Sequence, residues 1–160
     1  MRQYKHHHGY LWVGPKSRFD EEALRRPPHP EPPPVGSRPE VVARYREVAA
    51  EFPSCDLPPL ETRNWLRKPR AQVCGTWADP AEAAGWLGER LAEYAPRFMC
   101  GDAQRDVRWL SGVAASAEAR LGWGGDVSLG YYLERPAFLS LALVSCFPDD
   151  ESQPLPCPGP

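Results

Sequence analysis

An α+β fold, with about three helices packed on a small, mainly antiparallel sheet, is predicted by three observations. Two segments, 80–94 and 103–121, place apolar residues at helical spacing behind good capping residues. After residue 126 the period shortens, and two runs rich in Val, Leu, Tyr and Phe follow one another. A short turn at Glu134-Arg135-Pro136 joins those runs, too short a link for a crossover helix, so they pair as a hairpin.

Taken in order, residues 1–24 form a short N-terminal segment with a strand at Gly9–Val13 and one helical turn at Asp20–Leu24. Residues 25–36 are a proline-rich linker. Seven prolines fall between Arg25 and Pro39, and each fixes φ and biases its predecessor away from the helix, so the segment is extended polyproline II. A single globular domain over 37–148 follows. Its first helix starts with Ser37 and Glu40 at capping-box spacing, carries the stripe Val41, Tyr45, Val48, Phe52, and stops at Pro53. "TRNWLRKPR" is a helical turn ended by Pro69, and "AQVCGTW" a short strand.

The next helix has Asp79 as cap, Pro80 at its first position and a buried stripe of Ala84, Leu87, Leu91 and Tyr94. Gly85 and Gly88 weaken it unless a neighbour packs closely. A third helix runs from Asp102 as cap to Leu121, burying Val107, Leu110, Ala114, Ala117 and Leu121, with Gly122 as a left-handed stop. Strands at Val127–Leu133 and Phe138–Phe147 complete the sheet. Residues 149–160, acidic and proline-rich, form a flexible tail with nothing to bury.

Composition narrows the function classes. The chain has 160 residues, a net charge of −2, no isoleucine and six each of Trp and Tyr. Sixteen of its 19 basic residues are Arg, as GC-rich codons supply. Residues 1–70 carry +4 and residues 71–160 carry −6, too mild an asymmetry for a basic groove. The first residues lack the apolar run of a secretion signal, and Ala137–Phe147 is about half a membrane span. Five cysteines without an export signal predict reduced thiols in a bacterial-type cytoplasm, and no membrane association.

Few residues carry chemistry. His6, His7 and His8 cannot all face one metal from a strand, because successive side chains alternate. Two can share a face, and zinc then wants further ligands from elsewhere. The cysteines stand 19, 26, 46 and 11 residues apart, without a C-x2-C pair, and "CPGP" lacks the aliphatic middle of a prenylation signal. The expectation is an exposed histidine run, no metal and no cofactor. "GWGGD" follows a helix and matches no phosphate-loop pattern. Asp102 and Asp106 satisfy a helix dipole, and no nucleophile stands in a catalytic signature. No catalytic residue is assigned.

Two stretches bear on partners. Arg63, Arg67, Lys68 and Arg70 flank Trp65, a charge-plus-stacking combination that suits nucleic acid. Pro27, Pro30 and Pro33 have the spacing that aromatic grooves recognise, although a spacer role is favoured. The expected function is that of a small non-enzymatic cytoplasmic accessory protein acting by protein–protein interaction. The alternatives are a nucleic-acid-associated regulator using 63–70, or an enzyme whose pocket is assembled from distant residues.

Overall fold

The computed structural model describes residues 5–99, 106–147 and 155–159. Its elements follow in the order β1 (His6–Pro15), α1 (Lys16–Phe19), α2 (Glu22–Arg25), α3 (Pro39–Ser54), β2 (Gly75–Trp77), α4 (Pro80–Tyr94), α5 (Val107–Gly122), β3 (Val127–Tyr132) and β4 (Ala137–Cys146). The fold is α+β. The four strands form one antiparallel sheet in the order β2-β1-β4-β3.

The longest pairing joins the two ends of the chain. β1 lies along the whole of β4, from His6 opposite Cys146 to Pro15 opposite Ala137. The N-terminal segment, expected to stand apart from a domain at 37–148, is therefore an interior strand, and it begins three residues earlier than Gly9. Both of its faces are covered: Tyr10 and Trp12 are buried on one, and Leu11 and Val13 pack on the other. Such a strand shows no apolar–polar alternation, and histidines at its start disguised it.

Helices α4 and α5 cover the second of these faces. Asp79 caps α4 by accepting the Ala81 amide hydrogen at 2.9 Å, and Pro80 takes the first position, where no amide is missed. Leu87 and Leu91 join Leu110 and Leu121 of α5 and Leu139, Leu141 and Leu143 of β4 in one core. Gly88 lies against α5: a β-carbon built there would be 3.5 Å from that of Ala114, an ordinary van der Waals contact, so the neighbour is close but would tolerate alanine, whereas Gly85 faces open space. The cap of α5 is Asp106, which accepts from Arg108 N–H at 2.7 Å. The expected cap Asp102 lies outside the described residues. Val107, expected in the stripe, is 75 % exposed, and the left-handed residue is Gly124 (φ 89°), two positions beyond Gly122.

The opposite face is covered without long helices. Two 3₁₀ turns, Thr62–Arg67 and Arg70–Gln72, lie across it. Trp65 stacks on Tyr10 with ring centroids 4.4 Å apart, and Leu66, Ala142, Val144 and Leu155 pack around them. Leu155 belongs to the segment expected to have nothing to bury; it is buried, so 155–159 docks on the sheet. The acidic run 149–151 lies outside the described residues.

Helix α3 stands apart from the sheet. Of its predicted stripe only Phe52 is buried, and Val41 is 43 % exposed. Ser37 does not cap it; its hydroxyl donates to Pro34 O at 2.6 Å, and Arg38 is the residue before the helix. The proline segment lies over this helix. Shallow hollows on either side of Tyr45 are walled by Pro27 and Pro28 and by Pro32, Pro33 and Pro34. Arg25 anchors its start, donating to Pro58 O at 2.7 Å and to Phe19 O at 3.0 Å. Among the described residues no helix is long and apolar enough to cross a membrane.

Candidate functional site

The first three residues of β1 separate by strand geometry. His6 and His8 point to one side and His7 to the other. The run was expected to be exposed; instead His7 and His8 are fully buried. His7 Nδ1 meets Ser145 Oγ at 3.0 Å, and that hydroxyl also donates to Gly125 O at 3.1 Å. Burial pushes the His7 and His8 imidazoles down to about 4; at His7, Lys5 and His6 add to the shift and Asp79 opposes it, and at His8 the neighbouring histidines add to it. Both rings are thus neutral at physiological pH.

On the other side four soft donors converge. His6 Nε2 lies 3.0 Å from His8 Nε2 and 3.3 Å from Cys157 Sγ, and His8 Nε2 lies 3.4 Å from the same sulfur. Cys146, directly opposite His6 on β4 and fully buried, supplies the fourth. All four ligand atoms lie within 4.8 Å of one another. Around them, His8 Nδ1 is held 2.9 Å from Thr76 Oγ1 on β2, which aims Nε2 at the cluster. The Gly159 amide donates to Cys157 Sγ at 3.4 Å. The Tyr10 hydroxyl is buried without a hydrogen-bond partner among the described residues, and the nearby Cys146 and Cys157 add to the burial that raises its pKa.

The stretch 63–70 forms no charged platform. Trp65 is in the interior on Tyr10. Lys68 is 2 % exposed and donates to Phe52 O at 2.6 Å and Cys55 O at 2.8 Å, with its ammonium 3.9 Å from the Phe52 ring centre. Arg63 reaches Asp126 at 3.3 Å and the Ser145 carbonyl, and Arg67 donates to Asn64 Oδ1 at 3.0 Å. Arg70 alone of the set is exposed. The residue types that suit nucleic acid here tie irregular chain to the sheet. Of the proline set, Pro27 and Pro33 are half-buried against α3 and Pro30 is exposed.

A third feature had no sequence signal. The outer face of α5 and the adjacent strand β3 enclose a groove of about 800 Å³. Gly112, Val113 and Ser116 line it between Trp109 and Trp123, with Arg120 beside Trp123. These positions recur at helical spacing on the flank of α5 next to its buried Leu110, Ala117 and Leu121, and Ala117 itself forms part of the wall. Trp123 is 71 % exposed. Small residues between two indoles leave a trough, and 14 residues of helix make it about 21 Å long.

No family model, curated protein or solved structure matches this chain.

Proposed function

We propose that the protein works by binding another protein, and that the α5–β3 groove receives it. The observation that carries this reading is Trp123, a large aromatic side chain left mostly in water at the rim of an apolar trough. Indoles at such rims are the anchors that dominate interface energies, because they bury much area with few rotatable bonds. The lining supplies apolar surface, two serine hydroxyls and one guanidinium, with no carboxylate or imidazole to move a proton. A trough about 21 Å long holds roughly four turns of helix. The partner surface that fits it is an amphipathic helix with a row of apolar side chains and a carboxylate for Arg120. Pro27, Pro30 and Pro33 contribute less, since two of them already pack on α3.

The test is capture of partners from cell extract by the full-length chain, with and without nuclease. Two groove variants accompany it. Trp123→Ala removes the anchor. Gly112→Arg fills the trough from a position where a β-carbon meets nothing within 4 Å. Nuclease-resistant capture of one protein, lost in both variants while their circular dichroism and thermal midpoints stay native, supports the reading. Equal capture by both variants sinks it. Capture abolished by nuclease would instead promote the nucleic-acid alternative.

A further inference from the structure

We infer that His6, His8, Cys146 and Cys157 form a tetrahedral zinc site that ties segment 155–159 to the open end of the β1–β4 pair. The donor set is two imidazole nitrogens and two thiol sulfurs, the combination of structural zinc centres. With Zn–N near 2.05 Å and Zn–S near 2.3 Å, a regular tetrahedron puts its donors about 3.3 Å (N···N), about 3.6 Å (N···S) and about 3.8 Å (S···S) apart. The observed 3.0 Å between the imidazole nitrogens, and 3.3 and 3.4 Å from each to Cys157, lie within a few tenths of those edges. Cys146 Sγ stands within 4.8 Å of the other three.

The surroundings are those of a metal centre. His8 is oriented through its second nitrogen by Thr76, which fixes the ring as outer-shell partners of zinc ligands do. A backbone amide points at the Cys157 sulfur, and such a donor stabilises a thiolate. Among the described residues, neither sulfur is joined in a disulfide. Charge also balances. Zinc binding displaces one proton from each thiol into solvent, so Zn²⁺ with two thiolates and two neutral imidazoles leaves the site with no net charge. That neutrality matters for a cluster containing two fully buried ligands. All four positions come from protein, so the centre is closed and structural, with no place for a reacting water.

The ligand spacing differs from that of a zinc finger. The histidines use the two-residue period of a strand, Cys146 uses cross-strand register, and Cys157 arrives on a docked segment. The metal links the start of the sheet to its last strand and to a peptide with otherwise one buried apolar anchor, Leu155.

The test uses the full chain without a purification tag, prepared under reducing conditions and away from immobilised-metal resin. Elemental analysis is expected to give about one zinc per chain, and stripping with chelator to lower the thermal midpoint. Cobalt(II) added to stripped protein is expected to give the intense visible bands of a tetrahedral centre with thiolate charge transfer. Cys146→Ala endangers the core, so the decisive variant is Cys157→Ser, whose residue lies on a docked segment outside the sheet. It is expected to keep native circular dichroism, lose part of the charge-transfer band and bind zinc at least about tenfold more weakly against a chromophoric chelator. Background zinc with an octahedral cobalt spectrum would overturn the site. So would a Cys146–Cys157 disulfide found by alkylation and mass spectrometry under these conditions, or an unchanged cobalt spectrum in Cys157→Ser.

Discussion

The helix-covered face of the sheet and the face opposite it are closed by different means. On the first, α4 and α5 present leucines to Leu139, Leu141 and Leu143, and backbone polar groups are satisfied within the helices. On the second, irregular chain lies over Tyr10, Trp12, His6 and His8, and carbonyls that no helix satisfies are met by side chains. Lys68 serves Phe52 and Cys55, Gln72 serves Pro53 and Cys55, and Arg25 serves Pro58 and Phe19. One face depends on volume and the other on placed polar atoms. Damage to the two should therefore look different.

The largest effect is expected on the helix face. Leu141→Ala empties a fully buried position at the centre of the sheet, opposite both Leu11 and Leu129, and should cost about 2–5 kcal/mol in chemical denaturation. A loss below about 1 kcal/mol would mean that this face is not the main core.

On the opposite face, Lys68→Met preserves side-chain length and removes the ammonium. Stranding the buried Phe52 carbonyl, and leaving the Cys55 carbonyl to Gln72 alone, should cost about 1–3 kcal/mol at neutral pH. The same pair of proteins gives a pH signature. Burial holds the Lys68 ammonium down to about 8, against 10.5 for an ordinary lysine, with Cys55 and Asp56 opposing the shift. Between those values the unfolded chain carries the extra proton, so wild-type stability gains with rising pH. Lys68→Met lacks that gain, so the difference between the two should widen from pH 8 to about pH 9.5. A constant difference would mean that the buried ammonium titrates normally.

Nucleic-acid binding offers a third measurement. With Trp65 and Lys68 inside and Arg63 engaged, affinity for duplex or single strands should stay near 10⁻⁴ M at physiological salt, the weak non-specific range. Micromolar binding that is lost on reversing Arg67 and Arg70 would show that this face opens. The smallest effect returns to the helices. Gly85→Ala should stabilise by about 0.5–1 kcal/mol, because the new methyl group meets nothing and the helix gains propensity. Destabilisation there would place an unseen neighbour against α4.

The same contrast explains what could be read from the chain. Asp79-Pro80 and the Leu87–Leu91 stripe announce α4, because caps and 3.6-residue periodicity are local signals. The β3–β4 hairpin is legible for a similar reason, since Val127–Tyr132 and Ala137–Cys146 are neighbours in sequence. The place of β1 was not legible. Its partner strand lies at the far end of the chain, and its covered faces erase alternation. The converging donors were half visible: His6 and His8 share a face by alternation alone. Cys146 joins them only through cross-strand register, and Cys157 only because Leu155 docks its segment. A cysteine ending the last strand, opposite an alternating histidine pair, was the available clue. The groove gave none, because Trp109, Gly112, Ser116 and Trp123 look like any outer helix face until β3 stands beside them.

The pairing of β1 with β4 also shapes how the chain comes to be folded. Residues 6–15 leave the ribosome about 130 residues before their hydrogen-bonding partners, residues 137–146. At translation rates of about 5–20 residues per second, this strand waits on the order of ten seconds for its neighbour. During that interval Tyr10, Leu11, Trp12 and Val13 are an unpaired, aromatic-rich edge, able to pair with other chains. Helices α4 and α5 can form meanwhile from local contacts, but the core between them and the sheet closes only when β4 arrives. Pairing strands so far apart in sequence must meet its loop-closure cost before the contacts repay it, so spontaneous refolding is expected to be slower than for a chain of this size built from local helical contacts.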